Sequence, residues 1–165
     1  NISGHQIFET NFYEFVTKAL SNFPSVKPSQ LQIEIVESSA ISNLEHTSKV
    51  MKCFNKLGIS FALDDFGTGF SSLSHLRSLP IHTLKIDQSF VLNMPSCKED
   101  LSIVKSIIAL SEAFNCKVLA EGVENQETLQ LLKSLGCHAA QGYFYSPALP
   151  STELYKFATS NIVNR

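Results

Sequence analysis

Two adjacent carboxylates, Asp64 and Asp65, follow the apolar run from Ile59 to Leu63 and precede Gly67-Thr68-Gly69 and the serines Ser71 and Ser72. Aspartates side by side at the end of a buried strand repel each other, and desolvation adds to the cost of ionising both. A divalent cation between them offsets that cost, because hard cations take carboxylate oxygens. A solvated turn would also account for the pair, since Asp and Gly both favour turns. Taken alone, the stretch leaves the two readings even. Other polar residues interrupt apolar runs in the same manner. Glu34 lies between Ile33 and Ile35, Lys85 lies between Leu84 and Ile86, Glu121 follows Leu119-Ala120, and Gln141 follows Ala139-Ala140. An internal ion pair such as Glu34 with Lys85 would explain one or two of these positions. It does not explain a polar position near the C-terminal end of each successive strand. Glu34, Asp64, Asp65, Glu121 and Glu124 set against Lys85 make an excess of acid that calls for divalent cations. All-oxygen ligands favour Mg²⁺ or Mn²⁺ over zinc or copper.

The elements that must position these residues can be read from hydrophobic spacing. Strands are expected around residues 1–3, 31–37, 59–63, 84–86, 118–120 and 138–143. Phe8, Phe12, Phe15, Val16 and Leu20 recur at helical spacing, as do Val50, Met51, Phe54 and Leu57 before Gly58. Ser3/Gln6, Ser42/Glu45 and Ser96/Glu99 have capping-box spacing, and Asn125 and Ser151 begin further helices. Gly136 closes the helix that carries Leu129, Leu132 and Leu135, and a short helix ends before Pro80. Strand–helix units thus alternate about six times, which predicts an α/β fold with parallel strands. In three strands Leu and Ile share one parity and the charged residue has the other, so the charged face points to a common centre. That predicts a TIM-like (β/α) barrel with its site at the C-terminal ends of the strands. An open doubly wound sheet would be apolar on both faces. Six units fall short of eight, so the barrel is expected to be incomplete, with residues 1–165 forming one domain.

Composition narrows the partners. The 165 residues are 44% hydrophobic, enough for a core, and 13 Lys and Arg against 15 Asp and Glu leave a formal charge of −2. That balance gives no footprint for duplex nucleic acid. No apolar run has the length of a membrane span, and no signal peptide is expected. The four cysteines lack a Cys-x-x-Cys pair. They read as small buried apolar residues of a reducing, cytoplasmic setting.

Six motifs occur in order: Asn1-Ile2-Ser3-x-x-Gln6, Glu34-Ile35-Val36-Glu37-Ser38, the run from Asp64 to Leu73, Leu84-Lys85-Ile86-Asp87, Ala120-Glu121-Gly122-Val123-Glu124 and Gln141-Gly142-Tyr143. Together they resemble the EAL-domain family of cyclic di-GMP phosphodiesterases, from the first residue to about Pro150. The resemblance implies a modified TIM barrel that hydrolyses cyclic di-GMP to linear pGpG with two Mg²⁺ or Mn²⁺ ions. By position it implies Asn1, Glu34, Asp64, Asp65 and Glu121 as metal ligands, and Lys85 as the residue that holds the attacking water, with Glu121 and Asp64 also in the catalytic group. It implies Glu124 and Gln141 as groups that position water behind the ligands. Glu37 becomes the anchor of the loop from Asp65 to Ser72, which in the family leads to a dimer interface. A homodimer, and sensory or GGDEF-type domains in a longer parent chain, follow from the same resemblance. Val36 stands where the family usually has Thr, Phe70 where Tyr is common and Ala148 where Pro is frequent. The Glu-Ala-Leu stretch that names the family, and supplies a further metal ligand, is not in the sequence. The expectation is therefore a fragment of such an enzyme or, alternatively, a degenerate module that binds cyclic di-GMP or a protein partner without turnover.

Overall fold

Short apolar strands separated by amphipathic helices leave little choice but a parallel sheet covered by helices. The computed structural model describes residues 1–69 and 73–162, with side chains to residue 159. Its strands are β1 Gln32–Val36, β2 Ser60–Phe66, β3 Thr83–Ile86, β4 Lys117–Ala120 and β5 Ala139–Ala140. They form one parallel sheet in the order β1-β2-β3-β4-β5, each strand hydrogen-bonded to the next in sequence. A doubly wound sheet reverses its order at a switch point. A monotonic order is that of a barrel wall, here five strands of it.

The helices are α1 Gly4–Ile7, α2 Phe12–Ser21, α3 Glu37–Ser42, α4 Leu44–Lys56, α5 Leu73–Ser78, α6 Gln88–Asn93, α7 Lys98–Ala113, α8 Gln126–Ser134 and α9 Ser151–Ile162. The core lies between sheet and helices. Ile33, Ile35, Phe61, Leu63, Leu84, Ile86 and Val118 from the strands meet Met51, Phe54, Val104, Ile107, Ile108, Leu129 and Leu132 from the helices. Phe54 is its aromatic hub, with ring centroids 5.2–5.9 Å from those of Phe12, Tyr13 and Phe61. Each such side chain taken fully from water contributes about 1.5–3 kcal/mol. No described helix is long and apolar enough to cross a membrane.

Several expected elements are altered. The strand expected at residues 1–3 is a single bridge, Ile2 with Ile35, because Ser3 already caps α1 in a reciprocal box with Gln6. The strand expected at 138–143 keeps only Ala139–Ala140. Beyond it the chain turns, with Phe144 N donating to Val123 O at 2.9 Å. About six units thus become five strands and one bridge. The run from Phe8 to Leu20 is not one helix: α1 stops at Ile7, α2 starts at Phe12, and Phe15 faces solvent. The second capping box shifts by one residue. The Asn43 carboxamide accepts from His46 N, while Ser42 hydroxyl turns back to Ser39 O. The third does not form, since Ser96 hydroxyl bonds Asn93 O and Cys97 takes the cap position without a side-chain cap bond. Asn125 caps α8 through Thr128 N as expected, and Gly58 and Gly136 follow their helices with φ of 93° and 86°, where glycine is favoured. The replacement noted at Phe70 falls outside the described residues.

Candidate metal and phosphodiester site

Alternation along β1, β2 and β3 sends their apolar residues to the helices and their charged residues to the opposite face. The register places Val36 beside Asp64 and Lys85 beside Leu119, so the C-terminal ends converge. At that convergence Lys85, only 4% exposed, donates to Glu34 Oε2 at 2.9 Å and Asp64 Oδ1 at 2.8 Å and forms an ion pair with Glu121 Oε1 at 2.8 Å. Burial alone would lower the lysine pKa. The bonds from Asp64, Glu121 and Glu34 outweigh it and hold the ammonium above its usual range. Burial raises the Glu121 carboxyl above its ordinary value. Lys85 opposes that rise, and the Asp64 and Glu34 charges add to it.

Asp65 reaches the same centre by a different route. In a regular strand, neighbours point to opposite faces, so Asp64 and Asp65 would be separated by the sheet. The β2–β3 register instead shifts between Leu63 and Phe66, and Asp65 takes a φ of 52°. This left-handed bulge re-aims the Asp65 carboxylate. Ligand oxygens of Asp64, Asp65 and Glu121 lie within 4.8 Å of one another. Burial raises the Asp65 carboxyl, helped by the Asp64 and Asp87 charges and against the pull of Lys85.

Asn1 is delivered by the Ile2 N to Glu34 O bond of 2.9 Å. With its amide nitrogen inward, its side chain donates to Glu34 Oε2 at 3.0 Å and Asp64 Oδ2 at 3.2 Å. With the oxygen inward, three acceptors would face one another and require a cation between them. The donor set is therefore all oxygen, rich in carboxylate and short of positive charge, which fits a hard divalent cation.

Glu124 and Gln141 do not join the carboxylates. They line an adjoining cleft of about 330 Å³ with Gln88, Glu121, Gly122, Gly142 and Tyr143. Glu37, 2% exposed at the start of α3, stands apart from the acids as well. Its Oε2 accepts from Gly67 N at 3.1 Å, which ties β1 to the turn after β2.

One acid at the centre was read only as part of a motif. Asp87 caps α6 through Ser89 N at 2.9 Å, and its charge helps raise the Asp65 carboxyl. The signal was present: Asp87 stands two residues after Lys85 and so shares its face of the chain.

This geometry has relatives. The chain is 38% identical over 157 residues to the signaling protein YkoW of Bacillus subtilis and 39% identical over 127 residues to the cyclic di-GMP phosphodiesterase NbdA of Pseudomonas aeruginosa. These alignments cover 95% and 77% of the chain but only 20% and 16% of the relatives. Among solved structures, the EAL domain of Mycobacterium smegmatis DcpA superposes with a TM-score of 0.91 at 37% identity, over 97% of this chain and 71% of that one. A manganese and cyclic di-GMP complex of Klebsiella pneumoniae BlrP1 superposes with a TM-score of 0.78 at 29% identity, over 86% of this chain and 36% of that one. The family model described as EAL domain matches residues 1–148, and the chain belongs to that family.

Proposed function

We propose that this chain carries the centre of a metal-dependent phosphodiesterase that hydrolyses one phosphodiester bond of cyclic di-GMP to give linear pGpG. The observation that carries the reading is the convergence of Asn1, Glu34, Asp64, Asp65 and Glu121 around Lys85. These residues would hold two Mg²⁺ or Mn²⁺ ions, with Asp87 beside Asp65. Such ions, when bound, supply Lewis acidity and a water that deprotonates near neutral pH. The chain's own residues do the rest. Lys85, once a bound cation draws a carboxylate away from it, would have an N–H to fix the position of a water. Glu124 and Gln141, in the adjoining cleft, orient the substrate or a second water. Glu37 holds Gly67 and with it the start of the loop that would carry a homodimer contact. The reading extends to one barrel domain inside a longer cytoplasmic protein with sensory or GGDEF-type partners.

A second reading has one observation in its favour. Lys85 already offsets part of the acid charge, so the centre can fold and bind without turning over. Incubating the chain with cyclic di-GMP and Mn²⁺, and separating products by chromatography, tests both. Release of pGpG that is lost in Asp64→Asn supports the enzyme. Saturable cyclic di-GMP binding by calorimetry with no pGpG supports the binding module, and neither outcome sinks both.

A further inference from the structure

We infer that Lys85 competes with the divalent cation for shared carboxylates and so sets the centre's metal affinity, an inference that rests on the metal-binding reading above. An ammonium has three N–H donors and no acceptor. Lys85 hydrogen-bonds Glu34 on β1 and Asp64 on β2 and forms an ion pair with Glu121 just after β4, so its ammonium is shared among three parts of the sheet. At 4% exposure the group has almost no access to water as a replacement partner. Two of its three partners, Asp64 and Glu121, belong to the group whose oxygens could close around one cation.

That sharing has a geometric consequence. A hard cation sits about 2.0–2.6 Å from a carboxylate oxygen. The ammonium sits 2.8 Å from oxygens of the same two carboxylates. A cation held by Asp64 and Glu121 therefore lies a few ångströms from a fixed positive charge, and the repulsion is strong even at an effective dielectric of about 20. Either the ammonium swings away, giving up bonds to two or three acids, or it stays and the cation binds against its field. Both lower the affinity below what the acids alone would give. The other groups of the centre do not change this sign, because Asp65 and Asp87 are further acids and the Asn1 carboxamide is neutral.

The same arrangement offsets part of the acid charge when no ion is bound. Lys85 bridges β1, β2 and the end of β4 and reduces the repulsion among acids that would otherwise drive those ends apart. A centre built this way responds to cation concentration rather than staying permanently loaded.

The test measures metal binding and needs no turnover. Mn²⁺ would be titrated by calorimetry into the wild-type chain, Lys85→Met and Lys85→Arg. Lys85→Met keeps an unbranched apolar side chain and removes the charge, and it should bind at least about tenfold more tightly. Lys85→Arg keeps the charge and should bind no more tightly than wild type. Equal or weaker binding by Lys85→Met overturns the inference while leaving the metal site standing. Absence of Mn²⁺ binding in all three overturns the metal reading itself, and this inference with it. If Lys85→Met does not fold, the wild-type chain still decides. Its Lys85 ammonium resonance, followed by ¹⁵N NMR, must shift or lose exchange protection on titration with diamagnetic Mg²⁺. An unchanged, protected signal at saturating Mg²⁺ overturns the competition.

Discussion

Gly142→Ala is the sharpest test of how the cleft beside Glu121 is built. A Cβ placed on Gly142 would stand 2.3 Å from both N and O of Val123 and 2.8 Å from its carbonyl carbon. These are backbone atoms of a fully buried residue, so no side chain can rotate away. Relief to ordinary contact requires the two segments to part by about 1 Å. They are held together by Val123 N to Gln141 O at 3.0 Å and Phe144 N to Val123 O at 2.9 Å. Losing two such bonds costs about 1 kcal/mol each, and leaving a buried partner unsatisfied adds about 1–3 kcal/mol. The expected loss is about 3–5 kcal/mol, out of the roughly 5–15 kcal/mol typical of a domain. Urea denaturation followed by circular dichroism would read it, with Gly136→Ala as the control. Gly136 has a φ of 86° and nothing within 4 Å of its added Cβ, so that variant isolates the backbone cost of about 1 kcal/mol. Gly142→Ala within 0.5 kcal/mol of wild type, by the same roughly 0.5 kcal/mol tolerance used for surface changes, would refute the argument from contact.

Other outcomes follow from the same geometry. On the proposed function, Asp64→Asn and Glu34→Gln in the longer parent enzyme should each abolish pGpG formation while the circular dichroism spectrum stays that of the wild type. Retention of most turnover at saturating Mn²⁺ by either variant would remove that residue from the ligand set. Glu37→Ala removes a buried charged acceptor and should cost about 1–3 kcal/mol, with faster amide exchange at Gly67 by NMR. Asp65 and Glu121 have raised carboxyl pKa values in the folded chain. The folded state therefore binds more protons than the unfolded one, and stability in chelator should fall as pH rises from about 4 through those raised values. Asp65→Asn should flatten that fall, and a slope unchanged by the substitution, measured by denaturation at a series of pH values, would count against Asp65 as its source.

Most of the centre was legible because strands have a period of two. Glu34 and Lys85 could be placed on one face from their apolar neighbours alone, and the ion pair with Glu121 follows once β4 is placed beside β3. Asp65 was not legible in that way. Strict alternation sends it away from Asp64, and only the bulge returns it, a backbone event that side-chain periodicity does not encode. Asp87 obeyed the period but was read only within its motif. The sheet was over-read at both ends. Ile2 is flanked by a cap that starts a helix at once, and the run after Ala140 contains a glycine needed for close approach to Val123 rather than for pairing. Helix starts were misplaced by one residue where Asn43 outcompeted Ser42, a preference that spacing alone does not resolve.

The left-handed backbone at Asp65 makes that position answer to two selections at once. A replacement there must tolerate φ near 52° and must also keep, or lose, an anionic oxygen. Asparagine meets the conformational demand and drops the charge, because Asn and Asp share an unusual tolerance of this region. Alanine and glutamate fail it in different degrees, so their effects mix backbone with chemistry. A substitution series read as a ladder of charge would therefore mislead at Asp65. The informative comparison is Asn against Gly: both accept the turn, and only Asn keeps a polar carboxamide beside the neighbouring acids.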